Sequence, residues 1–176
     1  RDRGPIGLCA TAGARLLGAS TIIAVDGNDH RLGIARSMGA DITLNFHQCD
    51  VVDEVMQLTR GRGADSSIEC LGLPGTFEQA MKVLKPGGTL SSLGVYSSDV
   101  KIPLGAFAAG LGDHRINTAL CPGGKERMRR LMNVIAADRA DFGSLVTHHY
   151  RLDNIVEAYD LFAHQRDGVL KIAIKP

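Results

Sequence analysis

The sequence predicts a doubly wound α/β domain built on a mostly parallel sheet with its first strand missing. Two observations carry this. Short β-branched runs alternate with longer stretches of helical periodicity, the pattern of βαβ units, and runs such as Thr21–Val25 are apolar at every position, as strands covered on both faces require. The chain has 176 residues, 44% of them hydrophobic and 22% charged, with 21 glycines. At about 150 residues per domain that length makes one compact domain with a real core. The net charge of +1 gives no reason to expect a nucleic-acid or membrane partner. No apolar run approaches the ~20 residues of a membrane span, and the amino end lacks the apolar core of a signal peptide, so the expected compartment is the cytoplasm.

The elements follow in order. From Pro5 to Leu17 the residues are small and apolar, as in a helix lying close against a sheet. Thr21–Val25 is a buried strand. Asp29 is placed to cap a helix to about Met38, with Gly39 at its C′ position. Asp41–Leu44 is the next strand, and Asp50 begins a helix with Val51, Val55 and Leu58 on one face. Asp65–Cys70 is a third strand and Thr76–Leu84 a helix. Lys85-Pro86-Gly87-Gly88 imposes a turn, because proline ends the helix and glycine accepts positive φ. Thr89–Val95 is a fourth strand, followed by an irregular glycine- and alanine-rich stretch from Tyr96 to Asp113. Ile116–Leu120 is a short strand. Gly124–Ala137 is a helix with Arg127, Arg129 and Arg130 toward water and Met128, Leu131 and Val134 inward, a solvated face rather than a basic binding patch. Leu145–His148 is a strand, Asp153 caps a helix carrying Ile155, Ala158, Tyr159 and Phe162 on one face, and Val169–Ile174 closes as a strand.

Cys9, Cys49, Cys70 and Cys121 form no Cys-x-x-Cys pair, so no zinc knuckle or redox motif is encoded locally, and four reduced, mostly buried thiols are expected. His148 and His149 are adjacent, which on a strand sends them to opposite faces, unsuited to one metal ion.

The chemistry concentrates at Gly4-Pro5-Ile6-Gly7, which opens the first helix, and at Asp26, nineteen residues after Gly7 at the end of the next strand. Glycine lets backbone approach a pyrophosphate, the helix N–H groups hold it, and an acid about 20 residues on binds the adenosine ribose. The competing explanation is a tight turn at Gly4 and Gly7, with Asp26 capping the Gly27-Asn28 turn. That explains each residue but not the spacing.

Gly4-Pro5-Ile6-Gly7-Leu8, Ile22–Asp26, Ala35–Asp41 and Leu84–Thr89 together resemble the zinc-type medium-chain dehydrogenase/reductase family. Leu120-Cys121-Pro122-Gly123-Gly124 with Arg127, Met128 and Leu131 is similar to its bacterial secondary alcohol dehydrogenases. The resemblance covers the chain but only the carboxyl half of such enzymes. It implies a Rossmann-like core over residues 1–120 and a segment, 121–176, that returns to a catalytic domain. It also implies that Gly4, Pro5, Ile6 and Gly7 present backbone to the pyrophosphate, that Asp26 takes the ribose, and that Arg31 stands beside it. Cys70, Leu71 and Gly72 match a strand end that passes along the cofactor, and Leu93, Gly94 and Val95 match the end of the next strand, which lies against the nicotinamide side. Leu120 matches the loop beyond the following strand. Lys171 matches a basic position able to reach the phosphates, with a solvated edge-strand lysine as its alternative. Asp26 accepts from both ribose hydroxyls and repels a 2′-phosphate, which favours NAD(H) over NADP(H), while His30 and Arg31 leave room for dual use. The strand near Ile116–Leu120 implies a homodimer or higher oligomer.

Three departures accompany these matches. Asp2, beside Arg3, stands where the fingerprint's leading glycine belongs. No strand precedes the glycine turn, although in a sheet of order 3-2-1-4-5-6 that strand is central. The family's zinc ligands and proton relay lie ahead of the fingerprint, so this chain carries no zinc or catalytic residue of its own, and hydride transfer would lack its main electrostatic stabilisation. Two main readings follow: the NAD(H)-binding domain of an alcohol dehydrogenase-like oxidoreductase whose catalytic domain lies upstream or on another chain, or a free-standing dinucleotide-binding or protein-interaction module without dehydrogenase activity. A degenerate remnant that binds nothing is a third.

Overall fold

The computed structural model describes residues 4–103, 105, 112–119 and 121–176. Helix α1 (Ile6–Leu16) leads to strand β1 (Ile23–Asp26), α2 (Asp29–Ser37), β2 (Ile42–Asn45), α3 (Val51–Leu58), β3 (Ala64–Glu69), α4 (Pro74–Lys82), β4 (Leu84–Ser92) and β5 (Arg115–Thr118). The carboxyl segment adds α5 (Lys125–Ala136), β6 (Val146–Arg151), α6 (Ile155–Ala163) and β7 (Lys171–Lys175). Every paired strand is parallel, with orders β1-β2, β3-β4-β5 and β6-β7. The expected alternation is present, since each parallel neighbour needs a crossover helix.

Among the described residues no strand is hydrogen-bonded between β1 and β3. This is the position that the expected order 3-2-1-4-5-6 gives to a strand ahead of the glycine turn, and the burial of its neighbours follows. Ile22 is buried, but Val25 on β1 and Ile68 on β3 are 41% and 44% exposed, so the expected two-sided burial of Thr21–Val25 does not hold. A strand with one partner keeps one flank open.

Three apolar clusters hold the elements. Leu8 of α1, Ile22, Ala35 of α2 and Leu170 share one, which ties the carboxyl segment to the first helix. Leu44, Val51, Val55 and Val83 form the second. Phe77, Met81, Leu84 and Leu90 form the third, between α4 and β4. At about 25 cal/mol per Å2 of apolar surface, fully burying a side chain of this size contributes roughly 1.5–3 kcal/mol.

Several local expectations need correction. Asn28, not Asp29, caps α2, its Oδ1 accepting from His30 N and Arg31 N; Gly39 does take positive φ, at 109°. Asp50 caps α3 as expected. Helix α4 starts two residues early because Pro74 sits in its first turn, where a missing N–H costs nothing. Lys85-Pro86-Gly87-Gly88 lies inside β4 as a bulge, between the pairs Ala64/Leu84 and Ser66/Thr89, with Gly87 at φ 75°. The first strand of the carboxyl segment runs on past His148 to Arg151. Asp153 falls in a 3-10 turn, and α6 starts without a side-chain cap. On α5, Met128, Leu131, Met132 and Ile135 are all exposed and no residue is buried. That helix is amphipathic as expected, but among the described residues nothing covers its apolar face. On α6, Ala158 is buried whereas Tyr159 is exposed.

A candidate dinucleotide crevice

Gly4, at φ 83°, turns the chain into α1, and Pro5 occupies the N-cap. The cap makes no side-chain hydrogen bond and the first turn holds no acidic residue. Cys9 N donates to Pro5 O at 2.9 Å, so the helix ladder begins there and the N–H groups of the preceding turn lie beyond its reach. Nothing stands within 4 Å of where a Cβ on Gly7 would be. Ile6 is exposed and Pro5 buried. A helix start that, among the described residues, has no side-chain cap and no acid in its first turn is suited to an anion.

Asp26 ends β1 with its side chain partly exposed. Its carboxylate makes two sets of hydrogen bonds, the first of them the turn cap that was the competing explanation for this acid. Oδ1 accepts from Asn28 N at 2.8 Å, fixing the turn, and both oxygens accept from Arg31 Nε at 3.0–3.1 Å, with Arg31 Nη2 also donating to Oδ1. The Arg31 side chain is only 5% exposed, and its Nη1 donates to Gln165 Oε1 at 3.2 Å. The pairing of Asp26 with Arg31 is therefore direct, and it reaches the carboxyl segment.

Lys171, exposed at the start of β7, acts electrostatically on Cys9 in the first turns of α1: burial pushes the Cys9 thiol up and the Lys171 charge draws it down. Leu170, next to Lys171, shares a core cluster with Leu8 of α1. Cys9 and Cys121 are exposed and Cys49 and Cys70 half-buried, so the thiols are not mostly buried as the sequence predicts. Leu120 lies outside the described residues, as do Asp2 and Arg3.

The strand ends at Cys70–Gly72 and Leu93–Val95 come together. Gly72 is at φ 78°, and a Cβ there would stand 2.7 Å from Val95 N. A Cβ on Gly94 would overlap the Gly72 backbone and come within 2.5 Å of Glu69 Oε2. Only glycine permits this crossing. Burial, with the Glu69 charge and Cys9 adding to it, raises the Cys70 thiol to about 11, so it is protonated at neutral pH. Leu93 and Val95 are exposed.

Two residues here were not singled out from the sequence. Glu69, 3% exposed, accepts from Leu71 N at 2.8 Å, Gly72 N at 2.9 Å and Thr76 Oγ1 at 2.8 Å through Oε1. Its Oε2 accepts from the Tyr96 hydroxyl at 2.6 Å, which also meets Ser92 Oγ at 2.7 Å. Burial pushes Glu69 up, but these hydrogen bonds together outweigh it and hold the carboxyl below its ordinary range. The available signal was an acid at the end of a strand, directly before the Cys70–Gly72 turn.

No three His, Cys, Asp or Glu side chains cluster as a metal site among the described residues. His148 instead bonds Thr147 and Asp167. None of the described helices is long and apolar enough to cross a membrane.

Comparison with known proteins supplies the family. The profile for zinc-binding dehydrogenases matches residues 5–137. An alcohol dehydrogenase of Cupriavidus necator is 79% identical over 99% of this chain and 48% of its own length. An NADP-dependent isopropanol dehydrogenase of Thermoanaerobacter brockii is 34% identical over 96% and 49%. Among solved structures, alcohol dehydrogenase TADH from Thermus sp. ATN1 superimposes with TM-score 0.84 at 29% identity, over 98% of this chain and 49% of the other. The chain spans about half the length of the curated relatives it matches. It belongs to the zinc-binding dehydrogenase family and corresponds to the cofactor-binding half of its alcohol dehydrogenases.

Proposed function

We propose that this chain binds a nicotinamide dinucleotide, NAD(H) in preference to NADP(H), as the cofactor half of an alcohol dehydrogenase-like oxidoreductase. The observation that carries the reading is the open, uncapped start of α1 behind Gly4, with Asp26 at the end of the neighbouring strand. The backbone N–H groups of Ile6 and Gly7, beside the Gly4-Pro5 turn, and the Lys171 ammonium would hold the pyrophosphate, and the partly exposed Asp26 carboxylate would accept from the ribose hydroxyls. The exposed Leu93 and Val95 and the Cys70–Gly72 turn would flank the nicotinamide. The bound cofactor would supply the hydride acceptor or donor, and these residues would fix its orientation. The described side chains do not furnish a zinc centre, so the zinc ligands and substrate contacts are assigned to a part of the protein outside these residues.

NADP(H) is the second reading, favoured by the Arg31 guanidinium that neutralises Asp26; the T. brockii relative is named as NADP-dependent. We assign the preference to NAD(H) because the carboxylate, not the nearly buried guanidinium, is the group left partly open to solvent. The exposed edge strand β5 supports a homodimer formed through it. Calorimetric titration with NADH and NADPH tests the proposal, with Asp26→Ala as the control. NADH binds more tightly, and Asp26→Ala weakens it; binding of neither cofactor sinks the assignment.

A further inference from the structure

We propose that Glu69 is a positioning residue, whose buried carboxylate clamps the Cys70–Gly72 turn to the Leu93–Tyr96 segment and so fixes the spacing of the crevice at its nicotinamide end. This rests on the dinucleotide-binding reading above.

The two segments leave adjacent strands, β3 and β4, and only one backbone hydrogen bond, Leu93 N to Glu69 O at 2.8 Å, joins them past the ladder. Beyond it the segments cross at Gly72 and Gly94, where a single Cβ would force them apart. Close backbone approach without side chains gives contact but little directional restraint. Glu69 supplies the restraint. One carboxylate oxygen takes the turn's two N–H groups and the Thr76 hydroxyl at the start of α4. The other takes the Tyr96 hydroxyl from the far side of the crossing. Four donors converging on one carboxylate give charge-assisted bonds, shorter and stronger than neutral ones. Tyr96 is itself fixed, by Ser92 Oγ and by an edge-on contact with Phe77 at 5.9 Å between ring centroids. Thr76, Phe77, Ser92 and Tyr96 therefore transmit the position of α4 and β4 to the two segments through a single acid.

The clamp acts at one end of the crevice, which gives it a distinctive signature. ADP-ribose carries the adenosine and pyrophosphate but no nicotinamide, so it does not reach the crossing, whereas NADH does. In the full-length protein, Tyr96→Phe keeps the ring and its contact with Phe77 and removes the hydroxyl with its links to Glu69 Oε2 and Ser92 Oγ. It is expected to weaken NADH about tenfold by calorimetry while ADP-ribose stays within about twofold. Glu69→Gln retains an oxygen for the turn and an amide that donates to Tyr96, so it recovers most of the NADH affinity that Glu69→Met loses. Unchanged NADH binding in Tyr96→Phe overturns the clamp, as does a parallel loss of both ligands, which would indicate a general defect of the fold. A wild-type protein that binds ADP-ribose but not NADH overturns the clamp together with the reading beneath it.

Discussion

The charge at Asp26 should set the ratio of NADPH to NADH affinity, and its size can be worked from the Arg31 pair. A 2′-phosphate in place of the ribose hydroxyl would put negative charge roughly 5 Å from the carboxylate. At an effective dielectric of about 20 this repels by about 3 kcal/mol per unit charge. Arg31, with nitrogens 3.0–3.1 Å behind the same oxygens, attracts that phosphate from roughly 8 Å, by about 2 kcal/mol. The difference, about 1 kcal/mol per unit charge and doubled at most for a dianion, amounts to about five- to thirtyfold. Asp26→Asn retains an acceptor for Asn28 N and for Arg31, so the turn survives while the charge goes. That net penalty is the wild-type preference; removing the carboxylate charge lifts the whole repulsion of about 3 kcal/mol and leaves the attraction of Arg31, so calorimetry with both cofactors should show the NADPH/NADH ratio moving toward NADPH by about a hundredfold or more. Arg31→Met should move it the other way. A ratio unchanged in Asp26→Asn would refute the electrostatic account, and a wild type preferring NADPH would refute the cofactor assignment.

Four further outcomes are expected. Leu90→Ala, at a fully buried site among Phe77, Met81 and Leu84, should lower unfolding free energy in urea by about 2–5 kcal/mol; a loss below about 1 kcal/mol would mean that this cluster is not a packed core. Gly94→Ala inserts a methyl into the Gly72 backbone and should abolish saturable NADH binding in a fluorescence titration, and undiminished affinity would show that the crossing opens freely. Burial, with the bond to Glu69 adding to it, raises Tyr96 to about 12. The stability this contributes is complete below the unfolded tyrosine pKa near 10 and is lost as pH rises through about 12. Ultraviolet titration should therefore show one late-ionising tyrosine that disappears in Tyr96→Phe. Glu69, held low, has the opposite sign: its contribution is present above the ordinary carboxylate range and lost as pH falls below it. Light scattering at micromolar concentration should return a dimer, and Ile116→Lys on the exposed edge strand should shift it to monomer, whereas an unaltered dimer would place the interface elsewhere.

Much of this architecture is legible from local physics. The glycine turn, the helix after it and the acid at the next strand end are set by backbone freedom and helix electrostatics acting over a few residues, so their spacing carries them. Features that depend on contacts distant in sequence are different. Asp26 and Arg31 are five residues apart, and helix geometry after the Asn28 cap brings them together. Glu69 and Tyr96 are 27 apart, and no propensity or motif joins them; only the β3-β4 register does. The bulge at Lys85–Gly88 was read as a turn for a related reason, because proline and glycine announce a break in regular backbone but not whether the ladder resumes on both sides.

The unpaired flanks of β1 and β3 and the bare face of α5 show the same limit from the other side. A run such as Thr21–Val25 encodes a strand for two covered faces, but coverage belongs to its neighbours, and with one neighbouring strand Val25 stays exposed. Met128, Leu131, Met132 and Ile135 likewise encode an apolar stripe without encoding what meets it. The cofactor crevice, by contrast, is assembled from residues that already fix one another through Asp26–Arg31 and Glu69–Tyr96. Dinucleotide recognition is thus the property this half of the fold should express most independently, and hydride transfer the one it should express least.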